Sequence, residues 1–194
     1  MNKGKSTSTS GMDWNSMLGL TQRLKQDKHY RDYLLILSGC YLGLRISDLL
    51  SLQWKDLIDK DELILIEKKT GKQRRLTINP KLQDAVLFCF TKDDSLSVDK
   101  TQNIIFSNRW GSKLSISYVN RRLKQIFRLY NVTVKNCSSH TLRKTFGKRV
   151  YEHNNKSESS LIFLSEIFSH SSISITRKYI GITSEQIADI YLAL

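Results

Sequence analysis

His140 and Arg143 stand three residues apart in His-Thr-Leu-Arg, the spacing that puts two side chains on one face of a helix. Arg45 follows a glycine break at Gly43 and sits where a helix would begin. His170 precedes Tyr179 by nine residues in His-Ser-Ser-Ile-Ser-Ile-Thr-Arg-Lys-Tyr. Two arginines, two histidines and a phenol suit one kind of chemistry. A phosphodiester cut without a metal gains charge on its non-bridging oxygens, and preorganised cations must meet that charge. Arginine does so best, because its planar fork makes paired, charge-assisted hydrogen bonds. A hydroxyl must attack in line, and an acid must protonate the departing oxygen. A lysine for that last task is available in Lys68-Lys69-Thr70-Gly71-Lys72.

The elements that must position these groups are mostly helical. Leu18, Leu20 and Leu24 recur near helical spacing after Asp13, and Asp27-Lys28 breaks the run before a second helix over about Tyr30–Ser38. Gly39 and Gly43 punctuate its end, and a further helix is predicted from about Arg45, turning Leu49, Leu50 and Leu52 inward. The period then changes. Glu62–Glu67 and Arg74–Ile78 alternate as short strands about a Gly71 turn, which predicts a hairpin. Asn79-Pro80 starts the next helix, with Asn as cap and Pro in the first turn. A polar loop is predicted over Asp93–Asn103. Ser115 or Ser117 caps a long helix to about Tyr130, and Ser138 or Ser139 caps another from His140 to His153. Helices at Glu158–Phe168 and Ser172–Tyr179 follow, and a last one starts at Thr183 with Gln186 completing a capping box. The fold class is mainly α with a small antiparallel β-hairpin. Residues 1–12 read as a flexible leader or linker remnant, and residues 13–194 as one domain.

Composition narrows the partner. Lys and Arg total 31 against 18 Asp and Glu, a net charge of +13, so an anionic partner is expected. The basic residues fall in four clusters (Lys68–Arg75, Arg121–Arg128, Arg143–Arg149, Arg177–Lys178), a distribution suited to a groove that tracks phosphates. A membrane surface would want one basic amphipathic helix with aromatics opposite the charges, which no segment supplies. Cys40, Cys89 and Cys137 are scattered, without metal-ligand or disulfide spacing, and read as free thiols in a reducing compartment. The start lacks the apolar core of a signal peptide, and Tyr33–Leu44 is too short to span a bilayer. A cytoplasmic protein without cofactor, metal or membrane partner is expected.

Three segments, in order, resemble the active-site boxes of the tyrosine recombinase (phage integrase) family. They are Gly43–Trp54 for GxRxSE/D-LLxLxW, His140–Arg143 for HxLR, and His170–Tyr179 for HxSIxxTxxY, with the Lys-Thr-Gly hairpin between the first two matching the family's lysine-bearing turn. The likeness runs from about Asp13 to the C-terminus. It implies that Arg45 and Arg143 clamp the scissile phosphate, that His140 accepts a proton, and that His170 hydrogen-bonds a phosphate oxygen. Lys69 would protonate the 5′-oxygen leaving group, with Lys68 and Lys72 as competitors in the same turn. Tyr179 would form a 3′-phosphotyrosyl bond, so religation needs no ATP. The other seven tyrosines, with His29 and His153, belong to core or surface. Lys144, where the family often has His, is expected at phosphate or solvent.

The resemblance implies site-specific integration, excision or inversion of double-stranded DNA. It also implies a homo-tetramer on paired sites that is monomeric when free, with accessory DNA-bending proteins possible. A type IB topoisomerase or a catalytically decayed DNA-binding regulator are the rivals. Three departures stand out. Ser169 replaces the usual glycine before His170 and is expected to shift that residue's approach without removing it. Asp48 stands where Glu is commoner. Nothing before Asp13 matches the family's N-terminal core-binding domain, which is expected of a fragment beginning at the linker or of a short recombinase. The apolar stripe Ile182, Ile187, Ile190, Tyr191 and Leu194 would pack on its own domain or dock on a neighbouring protomer.

Overall fold

A computed structural model describes residues 9–93 and 99–182. Among the described residues the regular elements are eight α-helices and one two-stranded sheet, with two short 3-10 turns. The helices are α1 (Trp14–Gln26), α2 (Tyr30–Leu42), α3 (Ile46–Leu49), α4 (Pro80–Thr91), α5 (Ile116–Leu129), α6 (His140–His153), α7 (Glu158–Phe168) and α8 (Ile173–Ile180); the strands are β1 (Glu62–Ile66) and β2 (Gln73–Thr77).

Local chemistry explains most boundaries. Asp13, Asn79, Ser115, Ser157 and Ser172 each accept a backbone N–H of the first turn they cap, and Pro80 opens α4. Ser115 rather than Ser117 therefore caps α5. Before α6 it is the Ser138 hydroxyl that accepts a backbone N–H, from His140 at 3.3 Å, although Ser139 occupies the cap position.

The centre of the domain is α2, which packs against α1, α4 and α6. Its Leu34, Leu35, Ile36 and Cys40 are at most 1% exposed, so the helix shows no polar stripe of its own. It runs to Leu42, past the expected stop at Ser38, because Gly39 serves packing rather than punctuation. A side chain there would meet Leu142 of α6, with Cδ1 at 2.7 Å and Cβ at 2.9 Å. The stop is Gly43, whose φ of 58° is the left-handed conformation that ends helices. The helix expected from Arg45 is a single turn, α3, with Arg45 at its cap, while Leu49, Leu50 and Leu52 do face inward.

The hairpin pairs Glu62 with Thr77 through Ile66 with Gln73, and its turn is tied down by Gly71 N–H donating to the Glu67 carbonyl. The loop expected over Asp93–Asn103 contains a helical turn at Lys100–Gln102 capped by Asp99. The helix expected from Thr183, and the apolar stripe after Ile182, lie outside the described residues. Within the expected flexible leader, residues 9–12 are held in place. The Met12 amide donates to Thr145 Oγ1 at 2.8 Å and its side chain is 1% exposed. No helix among the described residues is long and apolar enough to cross a membrane.

The basic clusters are less uniformly open than composition suggested. Arg122 of α5 binds buried Asp32 of α2 through two nitrogens, Arg74 binds Glu67, and Arg149 lies 5.2 Å from the Trp14 ring centroid. Part of the positive charge fastens helices together.

Candidate active site

The six residues to which the resemblance gives roles line one cleft of about 390 Å³. Arg45, Lys69, His140, Arg143, His170 and Tyr179 share it with Ser47, Ser139 and Phe168. They arrive from separate places: the cap of α3, the hairpin turn, the first turn of α6, the α7–α8 junction and the end of α8. A larger cleft of about 760 Å³, among Arg31, Trp54 and Arg109, includes none of the six.

Arg143 is 5% exposed. It donates to the Gly43 carbonyl and, at 3.1 Å, to the Phe168 carbonyl, and its guanidinium lies 4.4 Å from the Phe168 ring centroid. Burial pulls its pKa down to about 10, still protonated at neutral pH. Arg45 donates to the same Phe168 carbonyl at 3.1 Å and forms an ion pair with Glu67 at 2.7 Å. One carbonyl thus fixes both guanidiniums.

Tyr179 sits between rings. Its centroid is 5.1 Å from His170, 5.2 Å from Phe168 and 6.4 Å from His140. Burial raises the phenol above its ordinary pKa, against the pull of Arg143 and Arg45. The phenol is therefore protonated in the free protein, and its hydroxyl lies 3.5 Å from His140 Nδ1. Both histidines titrate below the ordinary value. For His140 the causes are burial and then the charges of Lys144 and Arg143; for His170 they are burial, Arg143, Arg45 and Lys69. His170 Nδ1 is 3.0 Å from the buried Thr176 hydroxyl.

Ser169 takes up the conformation a glycine would adopt. Its φ is 52°, its N–H donates to Glu166, and the His170 N–H donates to Ser165, so α7 ends and His170 turns into the cleft. Of the three lysines in the hairpin turn, Lys69 lines the cleft. Lys68 and Lys72 are not among its lining residues; the backbone of each helps fix the turn, the Lys68 N–H donating to the Asp48 carboxylate and the Lys72 carbonyl accepting from the Glu67 N–H.

Sequence reading missed four supports. Glu67 is a fully buried carboxylate held by Arg45, Arg74 and the Thr70 hydroxyl. Burial alone would raise its pKa, but the Thr70, Arg74 and Arg45 bonds outweigh it and hold the carboxyl at about 2. Phe168 and Thr176 act through one carbonyl and one hydroxyl, which leave no mark in residue type. The fourth is Lys144, expected at phosphate or solvent but 8% exposed, because the segment ahead of α1 covers it. A glutamate closing an apolar strand next to Lys-Lys-Thr-Gly was the one signal available.

A phenol set among two arginines, a lysine and two histidines on this mainly helical domain defines the tyrosine recombinase class of catalytic domain. The chain belongs to the phage integrase family, whose profile matches residues 11–186. It is 35% identical over 167 residues to the probable integrase/recombinase YoeC of Bacillus subtilis, covering 84% of this chain and 86% of that protein. It is 26% identical over 151 residues to the tyrosine recombinase XerH of Campylobacter jejuni, covering 77% of this chain but 40% of that one. Among solved structures, the XerA recombinase superposes with a TM-score of 0.72 at 18% identity, over 100% of this chain and 66% of its own. XerH bound to a palindromic difH substrate superposes at 0.71 and 18%, over 94% and 52%. These likenesses show the fold.

Proposed function

We propose that this chain cuts and rejoins double-stranded DNA at specific sites by transesterification, with Tyr179 as nucleophile. The observation that carries the reading is the convergence of six side chains from five places on one cleft. In the forward step the Tyr179 oxygen bonds to phosphorus and the bond from phosphorus to the 5′-oxygen breaks. The phenol proton passes to His140, which is uncharged at neutral pH. Lys69 supplies the proton that the 5′-oxygen takes up. Arg45 and Arg143 meet the charge on the non-bridging oxygens, each already held from behind by the Phe168 carbonyl, so little reorganisation is needed. His170 completes the set when the Thr176 hydroxyl donates to Nδ1, leaving the Nε2 proton for a phosphate oxygen. The phosphotyrosine keeps the energy of the broken ester, and religation runs the steps in reverse.

The same reading makes residues 13–194 the catalytic domain. It works as a tetramer on paired sites, is monomeric when free, and acts on cytoplasmic DNA, with accessory DNA-bending proteins as possible aids. XerH bound to its palindromic difH substrate is a post-cleavage complex, in keeping with this reading.

The test is a nicked suicide duplex carrying the chain's site, incubated without divalent metal. An SDS-stable protein–DNA adduct is expected. Tyr179→Phe should abolish it, and Arg45→Ala or Arg143→Ala should lower its rate about 10²–10³-fold each. An adduct that persists in Tyr179→Phe would overturn the assignment.

A further inference from the structure

Lys144 has no part in the steps above, yet its placement is costly. A buried ammonium loses its hydration, and among the described residues no carboxylate lies within ion-pair distance of it. Leucine or methionine would fill the space without that cost. Among the described residues the ammonium makes two contacts. It donates to the Thr9 carbonyl at 2.6 Å, and it lies 5.0 Å from the centroid of the Tyr179 ring. Cations are attracted to ring faces at such distances. On α6 it follows Arg143 directly and stands one turn beyond His140.

Residues 9–12 form a strap across α6. Thr9 Oγ1 donates to the Asn136 carbonyl at 2.9 Å, the Ser10 amide donates to the Lys135 carbonyl at 3.0 Å, and the Met12 amide donates to Thr145. Gly11 makes the closest approach. A Cβ there would lie 2.9 Å from the carbonyl carbon of Lys144 and from the Thr145 nitrogen, both backbone atoms that cannot swing aside. The strap is therefore seated on the residue that touches the nucleophile's ring.

We propose that Lys144 is a positioning residue for the nucleophile, its ammonium joining the strap at Thr9–Met12 to the Tyr179 ring. This rests on the reading of Tyr179 as nucleophile. Displacing the strap frees the lysine head, loosens the ring, and removes a positive charge from beside His140. The groups facing His140 are Lys144 and Arg143 from its own helix and Tyr179 from α8, with Arg45, Lys69 and His170 brought into the same cleft from other elements. The strap itself offers Lys144 a carbonyl and no acid. Loss of the lysine charge therefore shifts His140 in one direction only, toward easier protonation.

The experiment uses the full chain without DNA, so it stands apart from cleavage. The His140 ring proton is titrated by NMR, with His140→Asn to assign it, and the Tyr179 ring resonances are followed in the same spectra. Lys144→Met should move the His140 midpoint to higher pH and shift the Tyr179 ring signals, whereas Lys144→Arg should hold both near wild type. Gly11→Val, which lifts the strap, should move both readouts the same way, and the double variant Gly11→Val/Lys144→Met should add nothing to Lys144→Met. Lys144→Gln serves in its place where Lys144→Met does not fold. A midpoint unmoved by loss of the charge, or effects of strap and lysine that simply add, would overturn the proposal. A wild-type chain that forms no DNA adduct would overturn the reading of Tyr179 and leave these shifts as expected.

Discussion

Glu67→Gln tests how the two-arginine clamp is held. The wild-type carboxylate is fully buried and bonds Arg45 at 2.7 Å, Arg74 at 2.9 Å and the Thr70 hydroxyl at 2.7 Å. Removing one partner of a buried ion pair costs about 3–5 kcal/mol. Here the arginine side chains keep 20% and 12% exposure, and the amide oxygen still accepts hydrogen bonds, so about 2–3 kcal/mol is expected. The kinetic consequence is separate. Arg45 retains its bond to the Phe168 carbonyl but loses the ion pair that sets its other nitrogen, so it reaches the phosphate less well aimed. Full loss of such a donor costs about 10²–10³ in rate, and partial loss should cost about 10-fold or somewhat more. Binding should move the other way, because removing an anion beside the cleft leaves it more positive. Urea denaturation reads the stability, and single-turnover adduct formation at saturating protein reads the rate. A variant within 0.5 kcal/mol (about the noise of a surface change) that also cleaves at wild-type rate would refute the reasoning. So would weaker DNA binding at an unchanged rate.

The same carboxylate sets an acid limit. Its pKa is held at about 2 against an ordinary 4.5, so its contribution is complete above about 4.5 and is lost as pH falls through 2. The linkage is about 3 kcal/mol, and acid unfolding of Glu67→Gln should lack it. Ser169→Gly should stabilise the fold by about 1 kcal/mol in urea, because a side chain is strained at a φ of 52°, while leaving cleavage nearly unchanged. Gly39→Ala should destabilise by about 1–3 kcal/mol despite alanine's better helix propensity, since its Cβ would press on Leu142 between the two active-site residues of α6. The cleavage rate should climb along an acid limb below the ordinary histidine value, as burial, Lys144 and Arg143 keep His140 uncharged. A limb above 6.5 would contradict that.

The reacting groups were legible through their order and spacing in segments that resemble a family's active-site boxes, since arginine, lysine and tyrosine are plentiful in this chain. Tyr179 stands at a fixed distance from His170, and His140 and Arg143 share a helix face. Element boundaries were legible wherever a side chain makes the cap, as at Asp13, Asn79 and Ser115. Gly39 misled because a glycine chosen for close packing of α2 on α6 looks the same in one dimension as one chosen for its dihedral freedom. Lys144 misled for a related reason. Its charge predicted phosphate or solvent, and its burial depends on a strap 135 residues away in the chain, at Thr9.

The counter-charges of the clamp were hidden because most are not side chains. Arg143 bonds the carbonyls of Gly43 and Phe168, and Arg45 shares the latter. Phe168 is the last residue of α7, where carbonyls lack an intrahelical partner and the helix dipole presents about half a negative charge. The helix end orients both guanidiniums without adding a carboxylate's full charge, so Arg143 keeps most of its charge for a phosphate while Arg45 shares its own with Glu67. This gives residue 169 a second task. The left-handed turn there stops α7 at the residue whose carbonyl both arginines use, and it delivers His170 to the cleft in the next step of the chain. A side chain that prevented that turn would let the helix run on, withdraw the shared acceptor and carry His170 away together. The requirement at this position is thus one of backbone conformation, and serine satisfies it at a modest cost in stability.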